Sequence, residues 1–115
     1  MTIEERTAGA VLVLDLNGRL VLNEGAGLLK DKVRSAVYQG RKQIVLNLSG
    51  VSYMDSTGLG ELIAAYATVT REGGAIKIAN LTQRVSDLLA ITKVLTVFDV
   101  YESEMEALIS FPAQV

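Results

Sequence analysis

The chain has 115 residues, half of them hydrophobic, a net charge of −2, and neither cysteine nor histidine. That length supports one core rather than two, and the apolar content excludes a disordered polar chain. Lack of cysteine and histidine excludes a disulfide framework, the usual zinc-ligand sets and a Ser-His-Asp triad, while the mild negative charge offers nucleic acid no basic face.

Met1-Thr2-Ile3-Glu4-Glu5-Arg6 mixes charges and lacks the basic-then-apolar order of a signal peptide. No apolar run approaches the ~20 residues of a membrane-spanning helix, and the lack of cysteine makes a cytoplasmic chain the expectation. Val11 to Leu16 is β-rich, and Asn17-Gly18 is a strong two-residue turn signal, which predicts a hairpin returning along Arg19-Leu20-Val21-Leu22. From Glu24 to Tyr38, Leu29, Val33, Ala36 and Val37 share one stripe, so a first helix is expected there, ending at Gly40.

Gln43 to Leu48 reads as a short buried strand, and a second helix is predicted from about 58 to 72. Gly73-Gly74 fits a C-cap after it, and Ala75-Ile76-Lys77-Ile78-Ala79 the next strand. Thr82 is a candidate N-cap for a helix that turns Val85, Leu88 and Leu89 inward. Thr96 to Val100 reads as a last strand. Ser103-Glu104-Met105-Glu106 matches a capping box, launching a final helix that carries Met105, Leu108 and Ile109 and stops at Pro112.

Strands alternating with helices imply right-handed crossovers onto a mostly parallel sheet, and the opening hairpin adds an antiparallel edge. The expected fold class is therefore α/β: one domain over residues 1–115, with a mixed, mostly parallel sheet of four to five strands and about four helices. Ligands of such sheets gather outside the carboxyl ends of the strands. Strand 43–48 leads at that edge into Tyr53-Met54-Asp55-Ser56-Thr57-Gly58-Leu59-Gly60, a polar stretch at the start of the second helix. Backbone N–H groups there lack helical partners, so small hydroxyls suit capping, and a phosphate would meet a favourable dipole.

On position alone Ser56 reads first as an N-cap, Asp55 likewise as a cap or turn former, and Thr57 as a second cap ahead of a secondary phosphorylation site. Gly58 and Gly60 suit close approach of a partner's backbone or simple helix-start packing. Leu59 and Leu62 read as core, and Tyr53 and Tyr66 as core-flanking aromatics. No lysine lies near Ser56 in sequence, no dinucleotide fingerprint is completed and no phosphate loop is present, so enzymatic activity is not expected.

The stretch from Tyr53 to Gly60, preceded by Ile44-Val45-Leu46-Asn47-Leu48, resembles the anti-sigma factor antagonists of the STAS domain family. Gly18-Arg19-Leu20, Gly73-Gly74, helix 82–91 and Phe98-Asp99-Val100 extend the resemblance over roughly residues 8 to 110. It implies that Ser56 is phosphorylated by an anti-sigma factor that is also a serine kinase. The unphosphorylated antagonist binds that anti-sigma factor and frees a sigma factor. Phosphorylation abolishes binding, and a metal-dependent serine phosphatase restores it.

By the same resemblance Asp55, Thr57, Gly58 and Leu59 contribute to the partner surface, with no cofactor, nucleic acid or membrane involved. Many members carry an aspartate right after Gly-x-Leu, where this chain has Val21. The expectation is either that Asn23 or Glu24 replaces that group after a local shift or that the apolar Val21-Leu22 pair instead faces a different partner or a second copy, which leaves the chain a monomer or weak dimer. Two other readings stay open: a scaffold subunit of a signalling or transport assembly built on the same fold, and a small anion- or nucleotide-binding module.

Overall fold

The computed structural model describes residues 1–22 and 27–112. Five strands form one sheet in the order β1 (Thr2–Ala8), β2 (Val11–Leu20), β3 (Gln43–Met54), β4 (Ala75–Ala79) and β5 (Asp99–Tyr101). β1 pairs antiparallel with β2, and every later pairing is parallel. Between them run α1 (Leu28–Tyr38), α2 (Ser56–Arg71), α3 (Gln83–Ile91) and α4 (Glu104–Ile109), with a short 3-10 turn at Val94–Thr96. The mixed, mostly parallel sheet and four helices agree with the expected class.

Period-two alternation divides the strands between two faces. Leu12, Leu14 and Leu16, with Ile44, Leu46 and Leu48, and Ile76 and Ile78, pack against α1, α2 and α3 in the main core. Val11, Val13, Val45 and Ala79 point the other way into a smaller cluster closed by Ala107 and Phe111 at α4. The stripe predicted for α1 is buried as expected at Leu29, Val33, Ala36 and Val37, though the part of that helix placed at Glu24 lies outside the described residues.

The hairpin sits elsewhere than Asn17-Gly18. It closes over Gly9-Ala10, with Ala8 opposite Val11 and Gly9 at φ 62°, the positive φ that a tight hairpin turn needs. Its first strand, Thr-Ile-Glu-Glu-Arg-Thr-Ala, has no apolar alternation to betray it. Cross-strand charge helps to hold it: Arg6 Nε donates to Asp15 Oδ2 at 2.5 Å, the Arg6 guanidinium also pairs with Glu104, and Lys32 Nζ lies 3.2 Å from Glu5.

Asn17-Gly18 instead lies inside β2, and Arg19-Leu20 continue that strand rather than return. Asp15 pairs with Asn47 but Leu20 with Met54, so β3 carries two more residues than β2 along this stretch, accommodated at two register shifts. Gly18 takes φ 117° between them, so its flexibility serves an irregularity rather than a turn. The same shifts carry β3 past Ser49-Gly50 to Met54, six residues beyond the predicted end at Leu48. They also return Val51 and Met54 to the main core.

Two smaller expectations near the carboxyl end change. The predicted strand 96–100 is a 3-10 turn followed by the three residues of β5. Met105 and Ile109 of α4 are exposed, while Leu108 is partly buried against the smaller cluster as expected, and the fully buried contacts come from Ala107 and from Phe111 just beyond the helix.

Candidate functional site

The parallel ends of β2 and β3 finish side by side at Leu20 and Met54, and the chain turns there directly into α2. Asp55 makes the corner. Its extended backbone (φ −107°, ψ −172°) puts it at the N-cap, where its carbonyl accepts the first helical bond from Leu59 N at 3.0 Å. Its Oδ1 accepts from Gly58 N at 2.9 Å, its Oδ2 accepts from Leu22 N at 3.1 Å, and its own N–H donates to Leu20 O at 3.3 Å. One residue thus ties the helix start to the end of β2. Amide donors favour the charged carboxyl: Gly58 first, then Leu22, hold Asp55 below the ordinary carboxylate range against an opposing desolvation effect.

Capping therefore falls to Asp55 and not to Ser56. Ser56 is the first residue of α2 and is exposed, and among the described residues no hydrogen bond engages its hydroxyl. Thr57 is half-buried, and Leu59 is partly buried against the main core. Gly58 is corrected more sharply. A Cβ there would lie 2.0 Å from Leu20 O and 2.8 Å from Met54 Cγ, so the close approach that needs a glycine is to the chain's own β2, and this buried residue offers no surface to a partner. Gly60 is exposed, and an added Cβ would meet nothing within 4 Å.

Of the apolar pair after β2, Val21 is buried, which removes it from any docking edge, while Leu22 is 60% exposed. Asn23, the remaining candidate, lies outside the described residues, as does Glu24. Tyr66 is core-flanking as read, meeting the Phe98 ring edge-on at 5.2 Å. Tyr53 is more open than that reading, with the Arg84 guanidinium 5.7 Å from its ring centroid. Tyr53 and Arg84, with Met54, Asp87, Leu88 and Ile91, line an open groove of about 500 Å³ beside the turn, and Ile91 is 80% exposed.

Sequence reasoning missed Glu61. It is a buried carboxylate on α2 whose Oε1 accepts from Gly27 N at 2.6 Å. The two residues are 34 apart in the chain, and no local pattern links them.

Residues 2–107 match the family model described as the STAS domain. The chain belongs to the STAS domain family. The anti-sigma-B factor antagonist of Bacillus subtilis (strain 168) is 36% identical over 75 residues, which span 65% of this chain and 68% of that protein. A crystal structure of a Thermotoga maritima protein assigned as an anti-sigma factor antagonist superposes with a TM-score of 0.86 at 25% identity, over 93% of this chain and 92% of that one. The Bacillus protein SpoIIAA, an anti-sigma factor antagonist, shares the STAS fold in two states. Its unphosphorylated form gives a TM-score of 0.70 at 20% identity over 94% of both chains. Its phosphorylated form gives 0.71 at 19% identity over 94% of this chain and 97% of that one.

Antagonism of an anti-sigma factor, the role named for the Bacillus subtilis relative, is a binding role rather than an enzymatic one. Among the described residues no group of three or more acidic side chains is placed to hold a metal ion, and no helix is long and apolar enough to cross a membrane.

Proposed function

We propose that this STAS domain is an anti-sigma factor antagonist whose binding surface, at the β3–α2 turn, is switched by phosphorylation of Ser56. The observation that carries the reading is the division of labour at the helix start. Asp55 takes the cap and leaves the adjacent Ser56 hydroxyl exposed and without a hydrogen bond among the described residues. A structural serine would be occupied; this one is available to a kinase. The names of the relatives point the same way, and the fold is known both with and without phosphate.

The physics suits a reversible switch. A phosphate adds about −1.5 to −2 charges and three strong acceptors. At the first turn of α2 the helix dipole tolerates it, so the folded domain is little disturbed. In an interface it would have to be buried beside the Asp55 carboxylate. Leaving such a charge unpaired costs about 3–5 kcal/mol, roughly a 100- to 1000-fold loss of affinity or more. Ser56, Thr57 and Leu59, with the exposed Leu22 alongside, form the face offered to the partner. The partner on this reading is a cytoplasmic anti-sigma factor with serine kinase activity, and a serine phosphatase resets the switch.

The test is to incubate the chain with the anti-sigma factor kinases of its own organism and ATP, then to locate the added phosphate by fragment-ion mass spectrometry. One phosphate, at Ser56 and lost in Ser56→Ala, is expected. An unmodified chain, or a phosphate that survives Ser56→Ala, rejects the proposal. Ser56→Asp is expected to weaken partner binding while the melting temperature changes little; strong destabilisation would make Ser56 a structural residue instead.

A further inference from the structure

A specific, stable interface buries about 800 Å² and about 20–30 residues on each side. The face assigned above consists of Ser56, Thr57 and Leu59 with Leu22, far short of that area. A partner seated on Ser56 must therefore cover neighbouring ground as well. Tyr53 and Met54, directly before the Asp55 corner, form one wall of the open groove beside the turn. The other wall is α3, where Arg84, Leu88 and Ile91 follow one another at helical spacing along a single face.

The apolar groups of this groove do little for the core. Val85 and Leu89 are the buried residues of α3, whereas Leu88 is half-buried, and Ile91 and Tyr53 are exposed. One exposed apolar residue needs no explanation, but three that converge on a concavity beside the switch serine do. The groove also carries a cation. The Arg84 guanidinium lies over the Tyr53 ring, and among the described residues no carboxylate pairs with it. Asp87, on the same helix, instead accepts from Gln83 Nε2 at 2.7 Å. Contact with the ring holds Arg84 in place and leaves its N–H donors for an incoming acceptor. Tyrosine and arginine in such settings carry much of the energy of protein interfaces.

We infer that the groove between the β3–α2 turn and α3 docks the anti-sigma factor: an apolar side chain of that partner enters between Tyr53 and Ile91, and an acidic group beside it pairs with Arg84. This rests on the antagonist reading above. Ser56 then sets whether the partner binds, while the groove helps to set which partner it is.

The experiment uses the whole chain and an anti-sigma factor kinase of its own organism that binds the wild type. Titration calorimetry reads the affinity of Ile91→Glu, Arg84→Glu and a control, Ile109→Glu, which places the same charge on the exposed side of α4 across the sheet. All three sites are exposed, so melting temperatures should stay within a few degrees of the wild type. Ile91→Glu and Arg84→Glu are each expected to weaken binding about tenfold or more, and Ile109→Glu to leave it unchanged. A benzophenone side chain in place of Ile91 is expected to cross-link to the partner on irradiation, a readout that needs no loss of binding. Unchanged affinity in both groove variants, or no cross-link from position 91, overturns the docking. A loss in Ile91→Glu alone overturns the acidic contact at Arg84. An equal loss in Ile109→Glu overturns the groove by making the effect one of general charge. A wild-type chain that binds no anti-sigma factor overturns the antagonist reading itself, whereas a wild type that binds beside groove variants that bind equally well overturns the groove alone.

Discussion

Alanine at position 58 would put a methyl carbon 2.0 Å from the Leu20 carbonyl oxygen, 2.8 Å from Met54 Cγ and 2.9 Å from the Leu20 carbonyl carbon. Ordinary contact needs more than 3 Å, and two of the three obstacles are backbone, so no rotamer change relieves the clash. The first turn of α2 must withdraw from β2 by about 1 Å. Overpacking of that kind costs roughly 1–3 kcal/mol. Withdrawal also strains the Asp55 cap, which bonds the Gly58 amide itself, for about 1 kcal/mol more. Against this, alanine's better helix propensity returns about 1 kcal/mol. The net is a destabilisation of roughly 1–3 kcal/mol, or about 3–6 °C in melting temperature for each kcal/mol in a domain of this size.

Gly60→Ala, two residues on, supplies the control. Its methyl meets nothing within 4 Å, so only the propensity gain remains and the melting temperature should rise by a few degrees. Calorimetry or circular-dichroism melting of the two variants beside the wild type reads both effects. If Gly58→Ala is as stable as the wild type, the packing of α2 on the end of β2 is wrong. If Gly60→Ala falls with it, the loss reflects α2 generally rather than the contact at Leu20.

Stability should also fall in acid. Asp15, held low by Arg6 first and by Asn47 against desolvation, and Asp55, held low by amides, both have folded pKa values below the unfolded value of about 3.9. Their contributions are complete above about pH 5 and are lost as pH falls through the folded values. Asp15→Asn should flatten that fall in denaturant titrations between about pH 5 and 2, and an unchanged slope would mean that its pairing with Arg6 adds nothing. Phe111→Ala should cost about 3 kcal/mol by denaturant midpoint, because Phe111 closes the small core over Val11 and Val13; a loss below about 1 kcal/mol would mean that α4 does not dock there.

Much of this fold was legible because local pattern and tertiary burial agree. The stripe on α1, the Thr82 and Ser103 caps and the glycine pair after α2 all appear where composition put them. Reading failed where non-local pairing overrode a local signal. Asn17-Gly18 is a strong turn dipeptide, yet parallel pairing of β2 with β3 as far as Met54 keeps the chain extended. β1 was invisible because only Ile3 and Ala8 of its seven residues pack on the cores, and the rest is held by backbone pairing and charge.

The site divides in the same way. Its place at the carboxyl end of β3 followed from topology, and Asp55, Ser56 and Thr57 followed from residue type. The cap bond of Asp55 to Gly58 is local, but its second bond, to Leu22 at a neighbouring strand end, and the contact of Glu61 with Gly27 across two helices are not. Neither relation has a sequence period to reveal it.

The charges of β1 also bear on solubility. An open sheet has two outer strands whose free backbone groups can recruit another chain. Here one outer strand carries Glu4, Glu5 and Arg6 in a row, and the other is only three residues long. An incoming strand would have to strip water from the charges of the first, and the second is too short to template one. Although half its residues are hydrophobic, the domain is guarded against edge-to-edge aggregation at both sides of its sheet.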